Sequence, residues 1–164
     1  MTDATYRHAT EEDLPIVAGM YAKLDAALRG FGLGVPEVPD VGGVYAESFR
    51  RTLGRFSAII LAELDGEVVG YQAVRIKRLP AYMGGVLVGE TAGKWTEPQA
   101  RRTGIGTRLT RLGLEWLREQ GAESVEIQIP EGNTASWELF KRLGFKPEWR
   151  LYRLAWDDYV TDKD

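Results

Sequence analysis

The 164-residue sequence predicts an α/β fold built on a mixed β-sheet. Apolar, β-branched runs alternate with segments of helical periodicity. Two of those runs are joined by Asp65-Gly66, a dipeptide typical of a tight β-hairpin. The predicted order β-α-α-β-β-β-α-β-α-β differs from a uniform βαβ repeat. Because no linker or internal repeat divides the chain, we expect one domain spanning residues 1–164.

The first helix has a marked beginning and end. Thr10 and Asp13 have the spacing of a capping box, and apolar residues then recur at helical spacing until Gly30. The Gly- and Pro-rich stretch that follows predicts a loop. Residues 44–53 predict a short second helix.

Three strands are predicted in the middle of the chain. Phe56–Leu64 and Glu67–Ile76 are rich in apolar and β-branched residues and form the two arms of the hairpin. A third strand is predicted to begin within Gly85–Val88 and to continue irregularly towards Trp95.

Two helices and two strands complete the prediction. Ile105–Gln120 carries apolar residues on one helical face, which predicts an amphipathic helix. Ser124–Ile129 predicts a strand, and Asn133–Leu143 predicts a short helix with Asn133 as its N-cap. Trp149–Trp156 alternates as a strand does and predicts a final strand.

The composition excludes several kinds of function. A formal charge of −3 provides no overall field that favours nucleic acid, so we expect no nucleic-acid partner. The lack of cysteine excludes a disulfide framework, a thiolate zinc site, an Fe–S cluster and a cysteine nucleophile. Because His8 is the single histidine, we expect no metal site.

Targeting signals are also absent from the sequence. It has no run of 18 apolar residues, and neither end resembles a signal peptide or a lipidation motif. We therefore expect a cytoplasmic protein with no membrane partner.

The segment TEPQARRTGIGTRL, residues 96–109, has the features of an anion site. Gly104 and Gly106 allow close approach of a ligand to the backbone, and the unpaired N–H groups of a helix start favour a diphosphate. Three arginines add positive charge at the same end, namely Arg101, Arg102 and Arg108. No Walker loop occurs, and Leu109 replaces the last glycine of a dinucleotide fingerprint. A glycine turn with solvated arginines is the alternative interpretation.

The pattern Arg101-x-x-Gly104-x-Gly106, preceded by Pro98 and a strand, resembles the acyl-CoA-binding motif Q/R-x-x-G-x-G/A of the GNAT N-acetyltransferase superfamily. Three further segments resemble the family in the right order: YRHATEEDLPIVAGMY (6–21), GEVVGYQAV (66–74) and NTASWELFKRLGF (133–145). The resemblance implies a mixed, mostly antiparallel central sheet with helices on both faces, the GNAT-like acyl-CoA N-acyltransferase fold. It implies transfer of an acetyl group from acetyl-CoA to an amine.

The resemblance also implies which residues bind acetyl-CoA. Backbone N–H groups from Arg102 to Thr107 would hold the pyrophosphate, and the strand before them would pair with the pantetheine arm in the gap between the fourth and fifth strands. Asn133 matches a position that often contacts the cofactor, and a helix N-cap is an equal role for it. The expected binding residues are Lys94, Trp95, Thr96, Arg101, Arg102, Thr103, Gly104, Ile105, Gly106, Thr107 and Asn133.

Glu90 is the expected catalytic residue, because it matches a glutamate that removes a proton from the attacking amine in histone-type members. Only about one lysine-type amine in a thousand is unprotonated at pH 7, so a carboxylate base would help. Gln128 stands where other members carry a catalytic glutamate, and its amide cannot be that base. Glu126, which is predicted on the same strand face as Gln128, is therefore the second candidate for the catalytic base. The alternative interpretation of Glu90 is a solvated strand residue without a catalytic role.

Phe140 matches the position at which many members carry a tyrosine that protonates the leaving thiolate. A phenylalanine has no proton to give, although a thiolate is a tolerable leaving group because a free thiol has a pKa of about 8.5. Tyr152 and Tyr82 are candidates to replace that tyrosine. Transfer is expected to be direct, without a covalent enzyme intermediate, because the chain has no cysteine and no activated serine.

The acceptor is expected to be a small-molecule or peptide amine. In the family, the segment between Gly30 and Arg55 usually lines the acceptor pocket. Its acidic residues would suit a cationic amine, and aromatic residues are candidate walls; these are Glu37, Asp40, Glu47, Phe31, Tyr45 and, outside it, Tyr82.

Two further hypotheses concern the alternative function and the oligomeric state. An acyl-CoA-binding sensor or interaction module without turnover is the alternative function, and Phe140 and Gln128 support it. The aromatic residues Trp149, Tyr152 and Trp156 of the predicted final strand favour a homodimer, as does the frequency of dimers in the family.

Overall fold

The computed structural model describes residues 3–160 and, within them, five strands and four α-helices. The strands are β1 (Thr5–His8), β2 (Ser57–Leu64), β3 (Glu67–Arg78), β4 (Leu87–Thr96) and β5 (Ser124–Glu126). The helices are α1 (Leu14–Gly30), α2 (Val41–Glu47), α3 (Ile105–Glu119) and α4 (Thr134–Arg142). None of these helices is long and apolar enough to cross a membrane.

The strands form one sheet in the order β1-β2-β3-β4-β5. The first four strands pair antiparallel, and β5 pairs parallel to β4. Between β2 and β3, Asp65 and Gly66 both have positive φ, 52° and 82°, as a two-residue type I′ hairpin turn requires. The predicted mixed, mostly antiparallel sheet is therefore confirmed.

Helices cover both faces of the sheet, as predicted. On one face, Val17 of α1 and Phe49 pack against the inward-facing Tyr71 of β3. On the other face, Leu109 and Leu117 of α3 are fully buried in a second apolar cluster. Full burial of one such side chain stabilises the fold by about 1.5–3 kcal/mol. Each amphipathic helix thus holds one side of the sheet.

β4 changes its partners along its length, and this produces the central opening of the molecule. It pairs with β3 throughout, with a bulge at Ala92 that shifts the register between Thr91 and Gly93. Its other edge pairs with β5 only from Val88 to Glu90. Beyond Glu90 that edge of β4 has no strand beside it in the described part of the chain.

The predicted second helix is displaced in the structure. It spans Val41–Glu47 rather than residues 44–53, and turns replace its predicted second half. Asp40 accepts a hydrogen bond from Gly43 N–H and so starts the helix earlier. Glycine has a low helix propensity, so propensity alone does not favour a helix that begins with Gly42 and Gly43. A Cβ on Gly42 would lie 2.2 Å from Ala18 O, which shows that this turn packs closely on α1. That packing stabilises the first turn of α2.

The prediction of a final strand over Trp149–Trp156 is wrong. This segment forms no strand, and its large side chains are exposed, with Trp149 at 85% and Trp156 at 84%. Alternation predicts a strand only where a sheet edge offers hydrogen-bond partners. β5 ends at Glu126 instead of the predicted Ile129 and presents only a short edge. The capping box at Thr10 and Asp13 is confirmed.

Candidate active site

A cleft of about 250 Å³ opens where the chain after β5 separates from β4. Residues 90–94 of β4 form one wall and residues 127–130 form the opposite wall. Helices close the ends through Tyr21, Leu24 and Leu28 of α1 and Asn133, Ser136 and Phe140 at α4. The predicted gap between the fourth and fifth strands is thus present.

Glu90 lines the cleft from the face of the sheet that carries α1 and α2. It lies directly opposite Arg75 in the β3–β4 pair, and cross-strand partners point to the same face. The Arg75 guanidinium lies 3.8 Å above the centre of the Phe49 ring, on the α2 side. Within residues 3–160, Glu90 forms no ion pair within 4 Å. Its carboxylate therefore borders the cleft without a paired cation in this part of the chain.

Lys94 reaches into the cleft from the opposite face of the sheet. Its Nζ lies 3.5 Å from Thr110 Oγ1 of α3 and 5.2 Å from the centre of the Phe140 ring. Burial lowers the pKa of this ammonium group to about 8. We predicted only a backbone contact for Lys94, and the side chain was missed. A lysine in an apolar strand was the signal that could have found it.

The bulge of β4 is held by hydrogen bonds from side chains. Tyr45 Oη donates to Ala92 O at 3.0 Å, and Gln72 Nε2 donates to Gly93 O at 3.2 Å. Gly93 has φ +150°, and a Cβ there would lie 2.6 Å from Tyr45 Oη. Tyr45 therefore lies inside the fold and fixes the strand edge at the cleft, rather than lining an acceptor pocket as expected.

The turn before α3 presents free backbone donors. Gly104 has φ +92° and precedes the helix, and Arg102 also has a positive φ of 65°. Within the described chain, the N–H groups of residues 104–107 donate no hydrogen bond to another backbone group. A Cβ on Gly106 would lie 3.3 Å from Thr96 Oγ1, so the turn packs closely on the end of β4. These donors and the helix dipole suit a phosphate group.

Arg101 joins this turn to β4. Its Nε donates to Thr96 O at 2.9 Å, and its guanidinium lies 4.7 Å from the centre of the Trp95 ring. Trp95 packs against the core cluster on the α1 side, so its side chain points away from α3. Arg101 therefore fixes the end of the strand relative to the turn.

Asn133 and Phe140 lie on the α4 side of the cleft. Asn133 Oδ1 accepts the N–H of Ser136 at 3.2 Å, so its N-cap role is confirmed, and the residue also lines the cleft. Phe140 is buried and packs edge-to-face on Phe145 at 5.1 Å. Its ring carries no hydroxyl group, and the hydroxyl groups that do line the cleft belong to Tyr21, Thr91 and Ser136.

Several expected residues lie away from the cleft. Glu126 does not line it and pairs with Lys77 at 2.7 Å on the surface. The two tyrosines proposed to replace the general acid are solvent-exposed, Tyr82 at 88% and Tyr152 at 82%, because neither packs against the sheet. Neither Tyr82 nor Tyr152 therefore lies where it could replace the general acid, and that expectation is corrected.

The acidic residues expected at the acceptor pocket also have other contacts. Glu47 pairs with Arg50 at 2.7 Å, and Asp40 caps α2. Neither Glu37 nor Phe31 lines the cleft, although Phe31 lies beside Gly132 at its rim. On this side the cleft is lined instead by residues of α1, among them Tyr21, whose ring stacks on Tyr45 at 3.6 Å between ring centres. These α1 residues belong to the apolar helical pattern that predicts the first helix, and that pattern gives no signal for a cleft.

Comparisons with known proteins identify the family. The model of the acetyltransferase (GNAT) family matches residues 38–145, well over half of the chain. N-alpha-acetyltransferase of Sulfurisphaera tokodaii is 37% identical over 98 residues, which cover 55% of this chain and 57% of that protein. Mycothiol acetyltransferase of Thermomonospora curvata is 30% identical over 124 residues, which cover 73% of this chain and 39% of that protein.

A solved structure supports the same fold. AAC(6')-Iy in complex with the bisubstrate analog CoA-S-monomethyl-acetylneamine has a TM-score of 0.70 at 18% identity, with 94% of this chain and 98% of that chain covered. The chain spans little more than half the length of the first of these relatives and well under half of the second. The resemblance to the family is confirmed: this chain belongs to the acetyltransferase (GNAT) family.

Proposed function

We propose that this protein transfers an acetyl group from acetyl-CoA directly to an amine. The observation that carries the proposal is a continuous site: the donor-rich turn before α3 adjoins the end of β4, and the free edge of β4 leads from there into the cleft. One elongated ligand with a diphosphate at one end and a reactive group at the other would occupy such a site.

The binding residues fit acetyl-CoA in two places. Free N–H groups between Gly104 and Thr107 would bind the pyrophosphate, with the neighbouring Arg102 and Thr103 completing the turn. The backbone of residues 94–96, beyond the reach of β5, would pair with the amides of the pantetheine arm. We propose no metal, and within residues 3–160 no three His, Asp or Glu side chains cluster as metal ligands.

Glu90 is proposed as the general base. Its carboxylate faces the α1 side of the cleft, where an amine would meet the acetyl group, and would take the amine proton directly or through a water. The rest of the rate enhancement would come from holding the amine and the thioester together in the cleft.

The proposed acceptor is an amine on a small molecule or a peptide. The names of the relatives support both classes, because one is an N-alpha-acetyltransferase and another a mycothiol acetyltransferase. The solved AAC(6')-Iy complex holds a CoA-linked acetylneamine. In this chain, the acceptor would contact Tyr21, Leu24 and Leu28 of α1.

Release of free CoA thiol from acetyl-CoA tests the proposal when it is measured across a panel of peptide N-termini, polyamines, aminoglycosides and amino sugars. We expect at least one amine to give saturable, acceptor-dependent thiol release. Saturable acetyl-CoA binding without release for any amine would favour the alternative, an acyl-CoA sensor without turnover.

A homodimer remains part of the proposal. Trp149, Tyr152 and Trp156 are exposed at 85%, 82% and 84%, which is unusual for large aromatic side chains and favours cover by a second molecule. Light scattering at micromolar concentration is expected to give twice the chain mass. A monomeric mass would contradict the dimer.

A further inference from the structure

Lys94 is an ammonium group in an unusual place, because it is mostly buried without an anionic partner. No carboxylate lies within 4 Å of it in the described chain, and its single hydrogen bond, to Thr110 Oγ1, is long at 3.5 Å. That hydroxyl already lies 2.9 Å from Gly106 O and 3.3 Å from Gln72 Oε1. An unpaired buried charge is costly, and such a group is often functional.

The surroundings of Lys94 leave it facing the cleft. β3 contributes the neutral Gln72, α3 contributes Thr110 and α4 contributes Phe140, whose ring face partly stabilises the cation. The other titratable groups that line the cleft are Glu90 and Tyr21, both on the α1 side. Within the described residues, no anionic side chain therefore lines the cleft on the Lys94 side of the sheet.

We propose that Lys94 gives the proton to the sulfur of CoA when the acetyl group leaves, a role that Phe140 cannot fill. The inference rests on the proposed acetyl transfer. The C–N bond forms as the C–S bond breaks, Glu90 takes the proton from the amine, and Lys94 Nζ gives one proton to the sulfur. Exchange with solvent returns both groups to their starting states.

Glu90 and Lys94 lie on opposite faces of β4, so each would meet a different reactant, the amine for Glu90 and CoA for Lys94. Gly89 faces α3, because a Cβ there would lie 2.6 Å from Leu117, so its neighbour Glu90 faces α1. The bulge at Ala92 then leaves Lys94 on the α3 side. The base is thus on the acceptor side and the acid on the side of the turn proposed to bind CoA.

The protonation state of Lys94 also suits this role. Burial lowers its pKa to about 8, so it is charged at neutral pH and close in acidity to a free thiol with a pKa of about 8.5. Proton transfer between groups of matched acidity needs little driving force.

The first arm of the test measures the thiol rather than turnover. CoA is titrated with base in complex with the wild type and with the Lys94→Met variant, and thiolate formation is followed by ultraviolet absorbance. We expect the bound thiol of the wild type to ionise at lower pH than free CoA, and this shift to be lost in the variant. Identical thiol titrations in both proteins would overturn the proposal.

The second arm measures kcat and uses Lys141→Met, an exposed lysine on α4, as the matched control. We expect Lys94→Met to lower kcat about 10- to 100-fold with acetyl-CoA affinity within about threefold, and the control to match the wild type. An unchanged kcat in an active enzyme overturns only the role of Lys94. If the wild type is inactive with every amine, the proposed acetyl transfer is overturned. The thiol titration then still shows whether Lys94 contacts the sulfur of CoA.

Desulfo-CoA separates a sulfur contact from a phosphate contact. If Lys94 bound a phosphate, Lys94→Met would weaken desulfo-CoA and CoA equally, which would overturn the proposal. We expect desulfo-CoA affinity to be unchanged. Lys94→Gln, which keeps a polar end group near Thr110, is the second variant if the methionine variant does not fold.

Discussion

The turn before α3 and the gap beside β4 are the two ends of the proposed site and are built from different groups. At the turn, the backbone N–H groups between Gly104 and Thr107 have no backbone acceptor in the described chain, so no side chain has to supply the donors. At the gap, Glu90 and Lys94 line the cleft from opposite faces of one strand, and the proposed chemistry depends on these two side chains. The difference indicates that binding and catalysis can be changed separately, and substitutions at each end test this.

The largest effect is expected from Glu90→Gln at the gap. A general base contributes about 10²–10⁴-fold, so kcat should fall by that order, while acetyl-CoA affinity is unchanged because the amide keeps the shape of the carboxylate. Steady-state kinetics and equilibrium titration measure the two quantities.

Glu126→Gln is the matched control for Glu90→Gln, because Glu126 lies one strand away in a surface pair with Lys77. Its kcat should stay within about twofold of the wild type, since an exposed ion pair contributes little. A normal kcat for Glu90→Gln would remove Glu90 from the reaction.

The next effect is expected from Gly106→Leu at the turn. A Cβ there would lie 3.3 Å from Thr96 Oγ1, and a larger side chain would occupy the approach to the free N–H groups. We expect acetyl-CoA affinity to fall about 10- to 100-fold. The same direction is expected for Gly104→Leu, because φ +92° is strained for leucine.

Arg111→Ala, one turn further along the exposed face of α3, is the control for the glycine variants and should bind acetyl-CoA normally. Thermal melts of all three variants accompany the titrations. Equal loss of affinity at all three positions would indicate general destabilisation and contradict a phosphate site at the turn.

A smaller effect, on stability, is expected from Lys94→Met. Burial lowers the pKa of Lys94 to about 8, so between pH 8 and 10.5 the folded state binds fewer protons than the unfolded state. Relative to the variant, the wild type should therefore gain stability as pH rises through that range. At pH 7 the variant should be more stable, by at most about 3 kcal/mol.

Denaturant unfolding of the wild type and Lys94→Met at pH 7 and pH 10.5 measures this difference. The advantage of the variant should shrink towards the higher pH. A variant that is less stable than the wild type at pH 7 would contradict an uncompensated charge at this position.

The smallest effect is expected from Tyr45→Phe. The variant loses the hydrogen bond from Tyr45 Oη to Ala92 O, which should cost about 1 kcal/mol of stability. Acetyl-CoA affinity should change by less than about threefold, because the lost hydrogen bond is to Ala92 and not to residues 94–96 or 104–107, which are proposed to bind acetyl-CoA. A large loss of affinity in this variant would show that the two ends are not separable.

The turn could be predicted from the sequence because its signals are local. Glycines at fixed spacing, a helix start and nearby arginines all lie within residues 96–109, and the structure places the turn where the pattern indicated. The hairpin at Asp65-Gly66 was predictable for the same reason.

The gap could be predicted only in part, because its features depend on contacts between distant segments. The position of Lys94 beside Phe140 joins residues of β4 and α4, and no local pattern specifies it. The alternation of Trp149–Trp156 failed as a strand signal because pairing requires an available edge, and β5 is short.

Calorimetric titration of acetyl-CoA into the wild-type protein tests the central claim most directly, because every other step of the account requires this complex. We expect saturable binding at one site per chain. We also expect the Gly106→Leu variant to bind acetyl-CoA at least about tenfold more weakly. The absence of saturable heat for the wild type at millimolar acetyl-CoA would contradict the account.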